Sequence, residues 1–149
     1  MPLMTENKIL DMSEIAGQEH IKRALEVASV AGANVLLIGP PGSGKSMFSD
    51  VYENLLTDNS PHGLIGVSIS STVKDIKQIW IDNDGQDTLI IADEFPELKR
   101  NVLYYIKELS HDYNIPVIAN MHPCPCGYYG DTRHQCTCTP TQIMRYRTK

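Results

Sequence analysis

A glycine-rich stretch of eight residues has the composition and the spacing required to hold phosphate groups. It reads GPPGSGKS and fits the Walker A pattern G-x-x-x-x-G-K-[ST] at each fixed position. Its residues are Gly39, Pro40, Pro41, Gly42, Ser43, Gly44, Lys45 and Ser46. The glycines let backbone N–H groups turn inward around a phosphate, which a Cβ would obstruct. We therefore expect Lys45 to reach the β- and γ-phosphates of ATP and the Ser46 hydroxyl to ligate Mg²⁺.

A second candidate site is the acidic pair that ends the apolar run LIIADE. It lies downstream of the glycine-rich stretch 39–46, which we call the phosphate loop. In this Walker B arrangement Asp93 lies near Mg²⁺, usually through water, and Glu94 polarises the water that attacks the γ-phosphate. Alone the pair is a weak signal, because buried strands often end in acidic residues where they reach solvent. Together with the phosphate loop it predicts ATP hydrolysis.

All four cysteines of the chain lie in two Cys-x-Cys pairs. They are Cys124, Cys126, Cys136 and Cys138. Four thiolates at about 2.3 Å from Zn²⁺ would close a tetrahedral structural site with no open position for catalysis. His122 and His134 are alternative ligands. Reduced thiols without metal and disulfides are the other two interpretations, and disulfides require an oxidising compartment. The pattern favours structural zinc.

Strands and helices must position these candidate sites. The apolar runs ANVLLIG, TLIIADE and NIPVIAN predict strands, and the first of them suits a strand buried on both faces of a parallel sheet. The stretch VSIS predicts a possible further strand after the turn-rich loop LTDNSPHGLIG. Strands that alternate with helices indicate an α/β fold with a mostly parallel sheet flanked by helices.

The helices are predicted from apolar periodicity and from capping residues. One begins near Glu19 and is stopped by Gly32, and the next runs from Lys45 to about Leu56. The predicted features of the later helices are a capping box of Thr72 and Asp75 in STVKDIKQIWID, Pro96 in the first turn of PELKRNVLYYIKELS, and a final helix capped by Thr139 and Pro140.

The length of 149 residues and the hydrophobic content of 42% are typical of a single domain that can bury a core. We find no export signal and no apolar run long enough for a membrane span, and we expect a cytoplasmic protein without a membrane partner. The net charge of −5 is uneven, because Met121 to Lys149 carries four basic residues against Asp131. If nucleic acid binds, the C-terminal part is where phosphates would meet positive charge.

Three stretches resemble the ComM/YifB branch of the magnesium-chelatase-like AAA+ ATPases. They are IAGQEHIKRALEVA with NVLLIGPPGSGKS, DEFPELKRNVL, and HPCPCGYYGD with TRHQCTCTPTQIMRYRTK. The resemblance implies a P-loop NTPase of AAA+ type that forms a ring, usually hexameric, with ATP between subunits. It further implies a DNA helicase that promotes branch migration. Ile15, Ala16, Gly17 and Gln18 match the segment that lies against adenine in this group.

The departures from the family pattern bear on turnover. We expect residues 1–149 to form a single truncated AAA+ core with a cysteine-rich insertion at 122–139, without the Lon-like N-terminal domain and without the C-terminal lid and arginine finger. Arg100, Arg145 and Arg147 are candidate substitutes for that arginine. The γ-phosphate sensor is expected at Asn120, with His122 as the alternative. Two hypotheses stay open: an ATP-hydrolysing module in a ring that acts on DNA, and a nucleotide-binding regulatory domain with little or no turnover.

Overall fold

A four-stranded parallel sheet organises the molecule. The structure is a computed structural model that describes residues 17–57, 63–83 and 88–148. The strands are β1 (Val35–Ile38), β2 (Gly63–Val67), β3 (Thr88–Ala92) and β4 (Val117–Met121), in the spatial order β1-β4-β3-β2. The helices are α1 (Glu19–Ala31), α2 (Lys45–Thr57), α3 (Val73–Asp82), α4 (Arg100–Tyr113) and α5 (Pro140–Arg147). The predicted α/β class with a parallel sheet is confirmed.

Helices cover both faces of the sheet because side chains alternate along each strand. On one face, strand residues such as Ile90 and Ala119 pack with Ile76 of α3 and Ile106 of α4. On the other face, residues such as Leu89 and Ile118 pack with Leu25 of α1 and with Phe48, Val51 and Tyr52 of α2. The sheet therefore lies between α3 and α4 on one side and α1 and α2 on the other. No helix within the described ranges has the length and apolar character required to cross a membrane.

Strand β1 departs from the prediction that it is buried on both faces. Leu36 is 49% exposed and Ile38 is 53% exposed, whereas Val35 and Leu37 are half-buried against α1 and α2. The cause is position: β1 is the terminal strand of the sheet within the described part of the chain, and it pairs with β4 alone. A continuous apolar run thus predicted the strand correctly and its burial wrongly.

Two element boundaries also differ from expectation. The possible strand VSIS is wrong: β2 is Gly63–Val67, and Ser71 N–H bonds back to Ser68 O in a turn. Glycines at positions 63 and 66 made that segment resemble a loop. Pro96 does not begin the long helix either, because it lies in a separate 3₁₀ turn, Phe95–Glu97, and α4 starts at Arg100. Residues 58–62 and 84–87 lie outside the described ranges.

The capping predictions are confirmed. Gly32 ends α1 in the left-handed conformation with φ 63°. Thr72 and Asp75 form both hydrogen bonds of a capping box at the start of α3, and Thr139 and Gln142 form a second one at α5. Each box satisfies backbone N–H groups that a helix start leaves without intrahelical partners.

Candidate functional site

The glycine-rich loop connects the end of β1 to the start of α2. Gly39 N–H donates to Met121 O of the neighbouring strand at 3.2 Å, which fixes where the loop leaves the sheet. Gly42 and Gly44 have φ values of 76° and 88°, a region that residues with a Cβ rarely adopt. Helix α2 begins at Lys45, so its N-terminal N–H groups and positive dipole end lie at the loop.

Polar atoms inside the loop fit a phosphate ligand. Ser43 Oγ is buried and has no hydrogen-bond partner among the described residues. Lys45 Nζ donates to Gly39 O at 2.6 Å and Pro40 O at 2.9 Å, and its burial lowers the pKa of the ammonium group. A Cβ on Gly39 would lie 2.7 Å from Ser43 Oγ, so the Ser43 side chain would have to leave its place in the cradle to admit one. A bound phosphate would give Ser43 a partner and Lys45 a stronger acceptor.

A cleft of about 740 Å³ opens beside this loop. Its walls come from the loop and from the segments that follow β2, β3 and β4, where the carboxyl ends of parallel strands meet. Besides residues 41–47, the lining residues are Ser68, Ile69, Asp93, Glu94, Asn120, Met121 and His122. The fold thus brings the predicted phosphate loop, the acidic pair and both sensor candidates to one cavity.

Asn120 is buried, with 5% of its surface exposed, and both ends of its amide are engaged. Its Nδ2 donates to Asp93 Oδ1 at 2.8 Å, and its Oδ1 accepts from Ser49 Oγ at 3.2 Å. The chain Ser49–Asn120–Asp93 therefore ties α2 to β4 and β3. Ser49 was missed by sequence reasoning, since one serine inside a helix carries no signal for this role.

Glu94 has a left-handed backbone, with φ 49° and ψ 51°, and its side chain is exposed to the cleft. Such a conformation costs free energy in a non-glycine residue, and residues held in it are candidates for functional roles. Nearby, burial and the charge of Asp93 raise the pKa of Asp50 on α2. The carboxylates that line the cleft itself, where a cation would be held, are those of Asp93 and Glu94.

The four cysteine sulfurs are brought together. All lie within 4.8 Å of one another, with Sγ–Sγ distances of 3.4 Å for Cys124–Cys126, 3.7 Å for Cys124–Cys136 and 3.6 Å for Cys126–Cys136. Tetrahedral Zn²⁺ with bonds of about 2.3 Å requires sulfurs about 3.8 Å apart. All four cysteines are free, and these distances exceed the roughly 2.05 Å of a disulfide.

The thiols of this cluster differ in pKa, because burial and hydrogen bonds with neighbouring cysteines raise the pKa of Cys138 to about 12 and raise that of Cys136 as well. Hydrogen bonds from the backbone N–H groups of Tyr128 and Thr137 lower the pKa of Cys126 to about 5. The alternative ligand His134 instead stacks on Tyr128 and lies 3.5 Å from Asp131. His122 lines the cleft, with Nδ1 3.4 Å from Gly39 O. The donor set that the geometry offers is therefore four cysteines.

The remaining predicted positions are the segment expected against adenine and the candidate arginines. Ile15 and Ala16 fall outside the described residues, and Gly17 is exposed just before α1. Arg100 lies 3.5 Å from the Tyr104 hydroxyl, and Arg147 Nε donates to Pro123 O at 3.0 Å. Of the residues that the structure describes, no arginine lines the cleft.

Comparison with known proteins identifies relatives of the chain. A family model described as "Magnesium chelatase, subunit ChlI" matches residues 11–82 and 105–149. "Uncharacterized protein YifB" of Escherichia coli K12 is 28% identical over 181 aligned positions, covering 91% of this chain and 35% of that protein. "Competence protein ComM" of Haemophilus influenzae is 45% identical over 49 residues, covering 33% of this chain and 10% of that protein.

Two further matches concern RuvB. "Holliday junction branch migration complex subunit RuvB" of Fervidobacterium nodosum is 30% identical over 119 residues, covering 75% of this chain and 33% of that protein. The solved structure of Thermotoga maritima RuvB T158V has a TM-score of 0.61 at 22% identity, covering 75% of this chain and 41% of that one. This likeness shows the AAA+ ATPase fold. The chain spans about a third of the length of the YifB relatives.

Proposed function

Because the chain belongs to the family of magnesium chelatase subunit ChlI, in its ComM/YifB branch, and is a nucleotide-binding AAA+ module, we propose that it hydrolyses ATP. The observation that carries this proposal is the single cleft that joins the phosphate loop to Asp93 and Glu94. ATPases of the AAA+ fold bind ATP together with Mg²⁺. In this chain Lys45 suits the phosphates, and the Ser46 hydroxyl and the Asp93 carboxylate suit Mg²⁺.

Binding begins with the phosphate loop. Lys45 turns from the carbonyls of Gly39 and Pro40 to the β- and γ-phosphates, which are stronger acceptors because they are charged. The Ser43 hydroxyl gains the partner it lacks among the described residues. The N–H groups at the start of α2 donate to phosphate oxygens.

Hydrolysis is assigned to the residues after β3. Mg²⁺ would neutralise charge on the β- and γ-phosphate oxygens, and the Ser46 hydroxyl and Asp93 carboxylate are donors of the type that Mg²⁺ prefers. Asn120 holds the Asp93 carboxylate in one orientation. Glu94 orients the attacking water and accepts its proton as the bond between the γ-phosphorus and the bridging oxygen breaks, releasing ADP and phosphate.

Two variants test this function. Glu94→Gln should retain ATP binding and lower turnover by about 10²–10⁴-fold, the usual contribution of a general base. Lys45→Ala should abolish measurable ATP binding, because it removes the cation that faces the phosphates. Isothermal titration of ATP and a phosphate-release assay measure the two effects. Equal turnover in wild type and Glu94→Gln would contradict hydrolysis by this residue.

A second candidate function is a nucleotide-binding regulatory domain with little turnover. Arg100 and Arg147 contact Tyr104 and Pro123, and neither lines the cleft of its own chain, so under this candidate function neither acts on the nucleotide in cis. An arginine supplied in trans is worth roughly 10³–10⁵ in rate for comparable phosphate chemistry. Slow turnover that is equal in wild type and Glu94→Gln, beside tight ATP binding, would support this candidate.

We extend the proposal to the assembly of oligomers and to the binding of DNA. The RuvB relative carries the name of a Holliday junction branch migration subunit, and the C-terminal part of this chain is its basic part. We expect ATP to induce oligomers, a hexameric ring by resemblance, and branched or single-stranded DNA to raise turnover. Mass photometry with ATP and turnover assays with each DNA test this. A monomer in saturating ATP, with turnover insensitive to DNA, would contradict it.

The four cysteines are proposed to hold structural Zn²⁺. Their sulfurs are close enough to share one ion, and four thiolates leave no position for substrate. Protein purified without chelator should contain about one zinc per chain. Cys138→Ser should lose most of it, whereas the neighbouring control Thr137→Ser should keep it. Zinc content well below one per chain in the wild type would rule the site out.

A further inference from the structure

Gly127 lies directly against the phosphate loop. It is buried in the cysteine-rich segment and has φ 88°. A Cβ at this position would lie 3.0 Å from Pro41 Cδ and 3.2 Å from Pro41 Cγ, with His122 Cγ at 3.8 Å. The backbone of Gly127 therefore packs on the ring of Pro41, and any larger residue would push the loop or the segment away.

The cysteine cluster sets the position of Gly127. Gly127 N–H donates to Cys124 O at 3.0 Å, and the adjacent Cys126 N–H lies 3.3 Å from Cys138 Sγ. Gly127 follows Cys126 directly, so the backbone between the two cysteine pairs cannot shift without moving it. A shift of the four sulfurs would therefore move Gly127 against Pro41.

Helix α5 holds the other side of the segment. Arg147 Nε donates to Pro123 O at 3.0 Å, and its guanidinium lies 5.3 Å from the centre of the Tyr129 ring. Tyr146 is 5% exposed and hydrogen-bonds the backbone of His122, which lines the cleft. With α5 on one side and the phosphate loop on the other, the cysteine segment is a packed layer between them.

We propose that the metal-loaded cysteine cluster positions the phosphate loop through the contact of Gly127 with Pro41, so that metal occupancy sets the affinity for nucleotide. This inference rests on the proposed ATP binding and on the proposed zinc site. It assigns the cluster a role in the nucleotide site in addition to stabilising its own segment.

Gly130 provides a matched control. It lies in the same segment with φ 81°, so alanine carries the same backbone cost there. A Cβ at Gly130 meets no atom within 4 Å among the described residues, and Gly130 is exposed. Any difference between Gly127→Ala and Gly130→Ala therefore reports the contact with Pro41.

The first experiment measures the ATP dissociation constant and zinc content of both variants. Gly127→Ala should weaken ATP binding by about tenfold, because overpacking displaces Pro41, with zinc content retained. Gly130→Ala should remain within about twofold of wild type. Equal affinities in the two variants would overturn the inference.

A double-mutant cycle gives a second test of the contact, and the zinc-removal experiment on wild type replaces both if Gly127→Ala folds poorly. Pro41→Ala removes the ring atoms that the new Cβ would meet, so Pro41→Ala/Gly127→Ala should bind ATP more tightly than the two single changes predict by addition. Additive losses in this cycle would contradict the contact.

Another experiment tests the effect of the metal on wild-type protein that has been treated with a zinc chelator. Its ATP affinity should fall by about tenfold and recover when ZnCl₂ is added, whereas Cys138→Ser should stay weak with or without ZnCl₂. Unchanged affinity after complete zinc removal would overturn the inference. Wild-type protein with full zinc that binds ATP no better than Lys45→Ala would instead refute the proposed function, and this inference with it.

Discussion

At the scale of single residues, Asn120 combines a position in the cleft wall with hydrogen bonds to two other residues of the site. It lines the cleft, as the predicted γ-phosphate sensor must, and its amide is already hydrogen-bonded to Asp93 and Ser49. His122 lines the same cleft and lies beside Gly39 O. The sensor role at Asn120 stays a prediction, and the structure adds that Asn120 orients a carboxylate.

The first prediction concerns Ser49. Ser49→Ala removes the hydroxyl that donates to Asn120 and leaves a buried amide oxygen unsatisfied, which costs about 1–3 kcal/mol of unfolding free energy. ATP turnover should fall as well, since Asn120, which donates to Asp93, loses one of the two hydrogen bonds that hold its amide. Urea denaturation and phosphate release measure these effects. Ser70→Ala, at an exposed serine, serves as control and should stay within about 0.5 kcal/mol.

A second prediction separates the backbone of Glu94 from its side chain. Both Glu94→Gly and Glu94→Ala remove the carboxylate, but only glycine adopts φ 49° without steric cost. We expect the glycine variant to be more stable than the alanine variant by about 1 kcal/mol. Thermal denaturation of the pair gives the difference. A more stable alanine variant would show that the left-handed conformation is not retained.

At the scale of elements, local sequence signals predicted the ends of helices better than the ends of strands. Gly32, Thr72 and Thr139 act within one turn of their own helices, so their effect follows from neighbouring residues alone. Strand β2 contains two glycines and is held by pairing with β3, which local sequence does not report. Its predicted position was wrong for that reason.

The capping box of α3 supplies the third prediction. Thr72→Ala removes the side-chain acceptor for Asp75 N–H and should lower the unfolding free energy by about 1 kcal/mol. The control is Lys77→Ala, an exposed change on the same helix that should cost less than about 0.5 kcal/mol. Similar losses in the two variants, measured by urea denaturation, would mean that the box does not stabilise α3.

At the scale of the whole molecule, the sheet is enclosed by helices at its centre and open on one face at β1. The prediction compares two leucines that both lie in strands. Leu89→Ala empties a site that is 1% exposed and should cost about 2–5 kcal/mol, whereas Leu36→Ala, at a site 49% exposed, should cost less than about 1 kcal/mol. Equal losses would indicate that the face of β1 is covered in solution.

The sequence by itself determined the α/β class and the family, and it predicted the phosphate loop and the acidic pair. Each of these depends on residues close together in the chain, such as Gly44 with Lys45, or on an apolar run that ends in an acid. Periodicity and motif spacing therefore carried the information, because local backbone geometry places neighbouring side chains in predictable positions. The cysteine spacing likewise predicted a shared cluster.

Tertiary structure alone decided which distant atoms meet. The bonds of Ser49 and Asp93 to Asn120, and the packing of Gly127 on Pro41, join segments that only the parallel sheet and α5 bring together. The exposed face of β1 likewise results from strand order, because β1 lies at the edge of the described sheet. An apolar run does not indicate whether its strand lies at the centre or at the edge of a sheet. Contacts between residues far apart in the chain depend on the whole packing arrangement, and no local pattern encodes them.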